Sequence, residues 1–557
     1  MTKLVSCRSL FVCILVAAVS IPALAQTAPT RADAEKDPVL CAMLAELDRS
    51  RQHLQLQGFD KPYFIEYRID DVTRYQANAA YGALTGEDQT HARVARVTVR
   101  VGDYKSDNSS PRGEGSVQIV AAENDPLAIR YALWAATDTA YKQALDAWAA
   151  KQAELKSVQT PPQADDFSHQ KPLIDLDPIV ALDLDREAWK RNIVEGSGLY
   201  STDPSARSFA DQIEDSQGSV EGRVRTVYLV DTEGTIVRTS AAEYRAEVAL
   251  ETQAPDGMRL LRSYPVTGAT AASLGTAEQF RHGVLEIPDG LHQLHDAPVV
   301  TDEYHGPVLF SGNAAAHSFD EYFARALTAS RPQLGSTERT TGPFASSYNT
   351  RVLPDFIRIV DDPGLTEFDG KALLGAYKVD DEGVPAQSVT LVDDGKLTGY
   401  LLGREPIRDF PESNGHGRAS VAQPARASIG VLHVEATGGL SQDDLVKKLI
   451  SMGKDQGLDS VYLVETISGG SQPRTLYRIK VADGSRQLVR GARLADVDLR
   501  SFRSGIVAVG SDPHVDDIYG DVPASIIAPA LLFDDVTVKH GEERNEKLPY
   551  YPPPPAQ

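Results

Sequence analysis

Cysteine is nearly absent from this sequence: 557 residues hold three, Cys7, Cys13 and Cys41. Two of them fall in an N-terminal leader, so the processed chain has one thiol and forms no intrachain disulfide. Cations are also short. Lys and Arg number 56 against 78 Asp and Glu, a formal charge of −22. No basic cluster offsets that charge, which argues against a general affinity for nucleic acid or anionic lipid. Past the leader no stretch approaches the roughly 20 consecutive apolar residues of a spanning helix, so no membrane insertion is expected. No Gly-x-Ser-x-Gly elbow and no Walker-type glycine loop occurs, which leaves serine-hydrolase and nucleotide-hydrolase readings without a motif.

What is present begins with Lys3 and Arg8, the apolar run Leu10 to Ala18, and Ala23-Leu24-Ala25 before Gln26. This is the charged, apolar, small-residue order of a secretory signal. Ser20 and Pro22 interrupt the apolar run, so it reads as a leader rather than a span. Residues 1–25 are therefore expected to be a signal peptide, cleaved after Ala25, and the product to be periplasmic or secreted. Loss of Lys3 and Arg8 takes the net charge to −24. More than 500 residues remain, and at about 150 residues per domain they suggest two or three domains.

Asp37-Pro38 supplies an N-cap with proline at the first helical position, and Val39, Leu40, Met43, Leu44 and Leu47 a helical stripe. Cys41 sits on that helix with nothing basic beside it, which predicts a buried structural thiol. From Pro62 to Gly102 the pattern alternates, with Tyr63, Ile65 and Tyr67, then Arg74 to Tyr81, then Val97, Val99 and Val101, as in an antiparallel meander. Asp125-Pro126 opens a long helix through Ile129, Leu133, Trp134, Tyr141, Leu145 and Trp148 toward Leu155. A proline-containing linker, Thr160 to Asp166, follows. Then come a short helix from Arg186 to Glu195 and strands at Val224 to Leu229, Thr235 to Ser240 and Tyr244 to Thr252, with Asp231 to Gly234 as a turn. A helix around Ala314 to Ala329 precedes a strand-rich remainder punctuated by Asp381-Glu382-Gly383 and Asp393-Asp394-Gly395. The expected fold class is α/β of the α+β kind. Residues 26–300 form a helix-and-sheet domain, 301–547 a β-rich domain, and 548–557 a proline-rich extended tail.

Gly306-Pro307-Val308-Leu309-Phe310 followed by Ala314-Ala315-Ala316 resembles the TldD/PmbA family, also called modulator of DNA gyrase and peptidase U62-like. In that family such a strand leads into a helix, and active members carry an HExxxH metal motif at the junction. Ile357 to Asp362, Val379 to Gln387 and Gly395 to Leu401 resemble the strands that follow, and Asn414-Gly415 with Arg418 the family's glycine-rich loop. Arg490-Gly491-Ala492 and Val522-Pro523 to Val538 resemble its C-terminal strands. The likeness runs from Ala80 to Val538 and is strongest after Gly306.

The motif position falls on Ser311-Gly312-Asn313-Ala314-Ala315-Ala316, with neither histidine nor glutamate, and His317 comes one residue late. A register starting at Asp320 keeps Glu321 but puts Asp320 and Arg325 at the histidine positions. Arginine has no lone pair for a metal. Like unit charges about 4 Å apart repel by roughly 4 kcal/mol at intermediate dielectric, so Arg325 would oppose zinc. The cysteine ligand of active members has no counterpart in Val515 to Asp521, although His514, Asp516 and Asp517 stand nearby. A rebuilt zinc site from His317, Asp320, Glu321 and His514 is the alternative, with Glu321 as general base.

Plainer readings compete with these. His317, Glu321 and Arg325, at i, i+4 and i+8, make a polar ladder on one helix face in which a Glu–Arg pair contributes roughly 0.2–0.5 kcal/mol. His292, His295 and Asp296 could hold a metal on a helix, but Gly290 and Pro298 predict a solvated loop. His416, between Gly415 and Gly417, predicts a mobile turn. The resemblance implies a metal-free peptide-binding or partner subunit, with no cofactor, that takes unfolded peptide segments as a homodimer or beside a TldD-like subunit. An active metallopeptidase with zinc, or a structural module without catalysis, are the alternatives.

Overall fold

A computed structural model describes residues 28–109, 115–159, 162, 164–468, 472–541, 546–547, 549 and 551. The expected signal peptide lies outside these residues, as do most of the proline-rich tail and part of the Thr160 to Asp166 linker. Among the described residues no helix is long and apolar enough to cross a membrane.

The N-terminal half is built on long antiparallel strands, β1 (Phe64–Ala80) and β2 (Ala83–Arg100). Tyr81 and Gly82, at φ 51° and 82°, turn one into the other, the left-handed pair that two-residue hairpins favour. The Tyr81 hydroxyl holds the bend by donating to Asp215 Oδ1 at 3.0 Å. With β3 (Ser116–Val120), β4 (Ile174–Leu176), β5 (Ile213–Asp231), β6 (Ile236–Gln253) and β7 (Arg259–Gly268) they form a sheet ordered β3-β2-β1-β5-β6-β4, β7 pairing with β6.

Alternation along β1 divides its two faces. Tyr67, Ile69, Tyr75, Ala77 and Ala79 are buried on one, and Arg68 and Asp70 are buried on the other. Four helices cover the apolar face: α1 (Pro38–His53), α2 (Pro126–Leu155), α3 (Arg186–Thr202) and α4 (Ala277–Asp296). The first two start at Asp-Pro pairs, where Asp37 accepts from Val39 N at 2.8 Å and Asp125 from Ala128 N at 2.7 Å. α1 and α2 pack Leu40, Met43, Leu133 and Tyr141 against Tyr67, Ile69 and Val97. α3 and α4 pack Ile193, Phe280, Val284 and Leu291 against Ala77, Val220 and Val248.

Two expectations fail here. Cys41 is exposed on α1 rather than buried, because the core face of that helix is taken by Leu40, Met43, Leu44 and Leu47. His292 and His295 lie in α4, not in a loop, since the helix continues through Pro288 to Asp296. An interior proline costs about 3 kcal/mol, and burial of Phe280, Val284, Ile287, Leu291 and Leu294 outweighs it. Both imidazoles are engaged locally: His292 stacks on Phe209 at 4.6 Å, and His295 Nδ1 meets Asp296 Oδ1 at 2.8 Å.

Among the described residues the C-terminal half holds two large sheets besides two short two-stranded ones. One runs β11-β10-β9-β12-β19-β18, from β9 (Ile357–Asp361), β10 (Val389–Asp393), β11 (Lys396–Leu397), β12 (Val431–Ala436), β18 (His514–Ile518) and β19 (Ala524–Ala528). The other runs β15-β14-β13-β8-β20-β16, with β17 (Ile506–Val509) paired to β20. Its strands are β8 (Tyr304–Phe310), β13 (Ser460–Ser468), β14 (Gln472–Lys480), β15 (Arg486–Val489), β16 (Ala492–Ala495) and β20 (Leu531–His540). A shared core joins the sheets through Val308, Phe310, Ile359, Leu432, Val464 and Phe533. It also takes in the short helix α5 (Gly312–Phe319), while α6 (Gln442–Asp455) covers the far side of β8 and β13. β8, buried along Gly306 to Phe310, delivers the chain directly into α5.

Candidate functional site

α5 begins where β8 ends. Ser311, which could cap it, donates its hydroxyl to Glu465 O at 2.6 Å instead, so the helix start is tied to β13. Ala314, Ala315 and Ala316 are fully buried, and their small side chains let α5 sink into the core. The first turn lies against β18: a Cβ added at Gly312 would stand 2.4 Å from His514 Cβ. That contact brings together two segments about two hundred residues apart, and with them His317 and Asp320 from one side and His514 and Asp516 from the other.

The helix then widens, as Asp320–Ala324 forms a π turn before Arg325–Leu327 returns to α geometry. π turns add a residue per turn and recur at functional sites. Aromatic packing accompanies the widening, with Phe319 and Phe323 at 5.3 and 5.1 Å from the Phe502 ring. The expected polar ladder is not formed. Glu321 and Arg325 are both exposed, and no ion pair joins them among the described residues, because the extra residue breaks the i, i+4 register.

Electrostatics set the character of the junction. Burial raises the Asp320 carboxyl above its ordinary range; His317 and Arg325 oppose the rise, and Asp516 and Glu321 add to it. Asp516 is raised likewise by burial, against the pull of His514, His317 and Lys371. Desolvation lowers His514 and favours its neutral imidazole. His317 Nε2 is buried without a hydrogen-bond partner. Asp517 is the exception, since it accepts from Ser525 Oγ at 2.6 Å and pairs with Lys371 Nζ at 2.9 Å, a structural commitment.

A family model described as the PmbA/TldA metallopeptidase C-terminal domain matches residues 301–540. A metalloprotease of Archaeoglobus fulgidus is 26% identical over 209 residues, 36% of this chain and 44% of that protein. A metalloprotease TldD homolog of Buchnera aphidicola subsp. Schizaphis graminum is 24% identical over 263 residues, 43% of this chain and 48% of that protein. The chain thus spans about half the length of the curated relatives it matches. Crystal structures extend the likeness. TldE from Thermococcus kodakarensis superposes with a TM-score of 0.56 at 15% identity, covering 89% of this chain and 100% of that one. A protein of Thermotoga maritima named as a modulator of a DNA gyrase gives 0.58 at 14% identity, covering 89% and 99%.

The chain has a TldD/PmbA-like fold and is distantly homologous to the peptidase U62 family. At the junction of this TldD/PmbA-like scaffold, the donor set does not fit a zinc ion. Zinc wants three or four imidazole, thiolate or carboxylate ligands in tetrahedral array, and among the described residues no group of three or more His, Cys, Asp or Glu is disposed to hold a metal. The residues at the expected motif, Ser311 to Ala316, offer none of those side chains.

A second polar assembly in the TldD/PmbA-like chain escaped sequence reasoning. Asp381-Glu382-Gly383 reads as an exposed turn, yet Asp380 and Asp381 are buried. Asp380 accepts from Val384 N and Gly417 N, each at 2.8 Å, and Asp381 accepts from Arg418 Nε at 3.1 Å. Arg225 Nε and Nη2 donate to Asp70 Oδ1 at 2.9 and 2.5 Å, and its Nη1 to Ala419 O at 2.9 Å. Arg68 Nη2 donates to Gln423 O. The loop after His416 is thereby clasped by the polar face of the N-terminal sheet. His416 itself is fully buried, not in a mobile turn, with Nε2 at 3.1 Å from Asp361 Oδ1. The one sequence signal was the set of arginines at alternate positions, Arg68 on β1 and Arg223 and Arg225 on β5, where a solvent-facing strand would need none buried.

Proposed function

We propose that this chain is an exported, periplasmic or secreted, peptide-binding subunit that holds unfolded peptide segments beside α5 without cutting them. One observation carries the reading: His317, Asp320, His514 and Asp516 converge at the strand–helix junction, with carboxyls raised and one imidazole nitrogen unfilled, and they are not arranged as a metal cage. A carboxyl held toward its neutral form donates a hydrogen bond, and a neutral imidazole both donates and accepts. Peptide backbone offers both complements. Filling His317 Nε2 would recover roughly 1–3 kcal/mol of desolvation cost, which favours an occupant with a polar atom there. Glu321, exposed at the rim, has no part in holding such an occupant. The partner in this reading is a second copy or a TldD-like subunit bearing the metal, and the fold shared with TldE supports it.

The test uses processed protein purified without a histidine tag. Metal content is read by mass spectrometry, and an unfolded fluorescent peptide is followed by polarisation and by digest analysis. The expected result is substoichiometric metal, intact peptide, saturable binding, and an affinity for Glu321→Gln within about threefold of wild type, as for other exposed positions. Near-stoichiometric zinc with cleavage abolished by Glu321→Gln would make the chain a metallopeptidase with a rebuilt site at His317, Asp320 and His514. Neither metal nor peptide would leave a structural module.

A further inference from the structure

Buried carboxylates in this chain lie on a cation or on backbone N–H groups: Asp70 on Arg225, Asp107 on Arg100, Asp380 on Val384 N and Gly417 N. Charge left unpaired away from water is costly, so such partners are expected. At the α5–β18 junction the rule lapses. Asp320 and Asp516 are half-buried, and among the described residues neither carboxylate accepts a hydrogen bond or forms an ion pair. Two cations act on them from nearby without pairing. Lys371 is taken up by Asp517 at 2.9 Å, and Arg325 is exposed on the turn beyond.

Both carboxylates remain reachable from outside. The unpartnered polar atoms that solvent does not reach include His317 Nε2 but none of the Asp320 or Asp516 oxygens. His317 acts on Asp320 and on Asp516 alike, which sets its imidazole beside both. Glu321, exposed next to Asp320, adds negative charge at the rim. The junction therefore gathers acceptors from two distant segments, and among the described residues no cation of the chain is paired with them.

An occupant must bring positive charge and N–H donors to several separate side chains. Among the described residues these groups are not disposed as a metal cage. A guanidinium presents its donors as a planar fork suited to one carboxylate, whereas a primary ammonium carries three donors on one compact centre. Three acceptors stand unfilled for it: Asp320, Asp516 and His317 Nε2. We propose that the junction binds a primary ammonium group of a peptide through these three side chains. The assignment rests on the peptide-binding reading and narrows it to segments that bear an α-ammonium at a free N-terminus or a lysine side chain. The formal charge of −22 on the chain steers such cationic segments toward it.

The probes are versions of one short peptide of alanine, glycine and serine with a fluorophore at its C-terminus. The first has a free N-terminus and no lysine, the second is N-acetylated, the third is N-acetylated with one internal lysine, and the fourth has that lysine acetylated as well. Each is titrated into the processed full-length protein and followed by polarisation. The first or the third peptide, or both, is expected to bind at least about tenfold more tightly than the two blocked ones, as a charge-assisted bond implies. The version that gains identifies the source of the ammonium. Asp516→Asn, checked as folded by its unfolding midpoint, is expected to cut that advantage to within about threefold while the blocked peptides bind as before. Equal binding of all versions overturns the ammonium assignment and leaves the peptide-binding reading standing; binding of none overturns both. An advantage that survives intact in the folded Asp320→Asn, Asp516→Asn double variant also overturns the assignment.

Discussion

The molecule carries two assemblies of charged side chains, and they are satisfied to different degrees. Where the C-terminal loop meets the N-terminal sheet, arginines alternate with carboxylates: Asp70 with Arg225, Asp381 with Arg418, Glu233 with Arg404. Beside α5, burial raises both Asp320 and Asp516, Asp516 adds to the rise of Asp320, and a histidine nitrogen stays unfilled. Opposite charges saturated by one another hold a structure together. Groups left against like neighbours stay available to something that is not part of the chain. Like neighbours occur in both, since Glu382 raises Glu66 and Asp380 within the clasp; what sets the clasp apart is its buried guanidinium groups, Arg68, Arg225 and Arg404.

The largest test of that contrast is Arg225→Met. It leaves Asp70 and Asp381 buried without their shared cation, and removing one partner of a buried pair costs about 3–5 kcal/mol, read as a fall in the urea midpoint. Next comes pH. Glu66 is pushed up to about 7, first by burial and then by Glu382, with Arg68 opposing. Its folded value lies above its ordinary 4.5, so the folded state holds the extra proton, and the stabilisation is complete below 4.5 and lost as pH rises through 7. Glu66→Gln is expected to remove that decline, a difference of about 1–3 kcal/mol across the window. Asp381, held low chiefly by Arg225 and Arg418 against the cost of burial, works in the opposite sense and loses its contribution as pH falls. Gly312→Ala is of similar size: its Cβ meets His514, so α5 and β18 must part, for about 1–3 kcal/mol and a loss of peptide affinity at the junction. Glu321→Gln is smallest, within about 0.5 kcal/mol by thermal melt, because its carboxylate has no ion-pair partner among the described residues.

Local signals carried the helix starts. Asp37-Pro38 and Asp125-Pro126 each announce a cap and a proline, and the structure places the caps there. Alternation announced β1, β2, β5 and β6, although the strands run longer than the apolar pattern because both faces of the sheet are covered. Convergence of His317 with His514 was legible only through the family resemblance, since nothing within either segment points to the other. Three features were invisible for tertiary reasons. α4 passes through Pro288 because its stripe is buried. Asp380 and Asp381 look like a solvated turn until Arg225 and Arg418 arrive from elsewhere in the chain. The π turn at Asp320 packs Phe323 against Phe502, far along the sequence.

The clasp between Arg68, Asp70 and the loop at 422–423 joins positions 355 and 352 residues apart. Contacts of such separation are slow to find, because loop closure precedes any gain from them. Until that loop has been synthesised, β1 carries a buried-side arginine and aspartate with no acceptor or donor to meet. The N-terminal sheet cannot reach its final state on its own, and its polar face stays open until the chain has been made as far as Gln423. Under the proposed export, that delay keeps the chain threadable while it is being made.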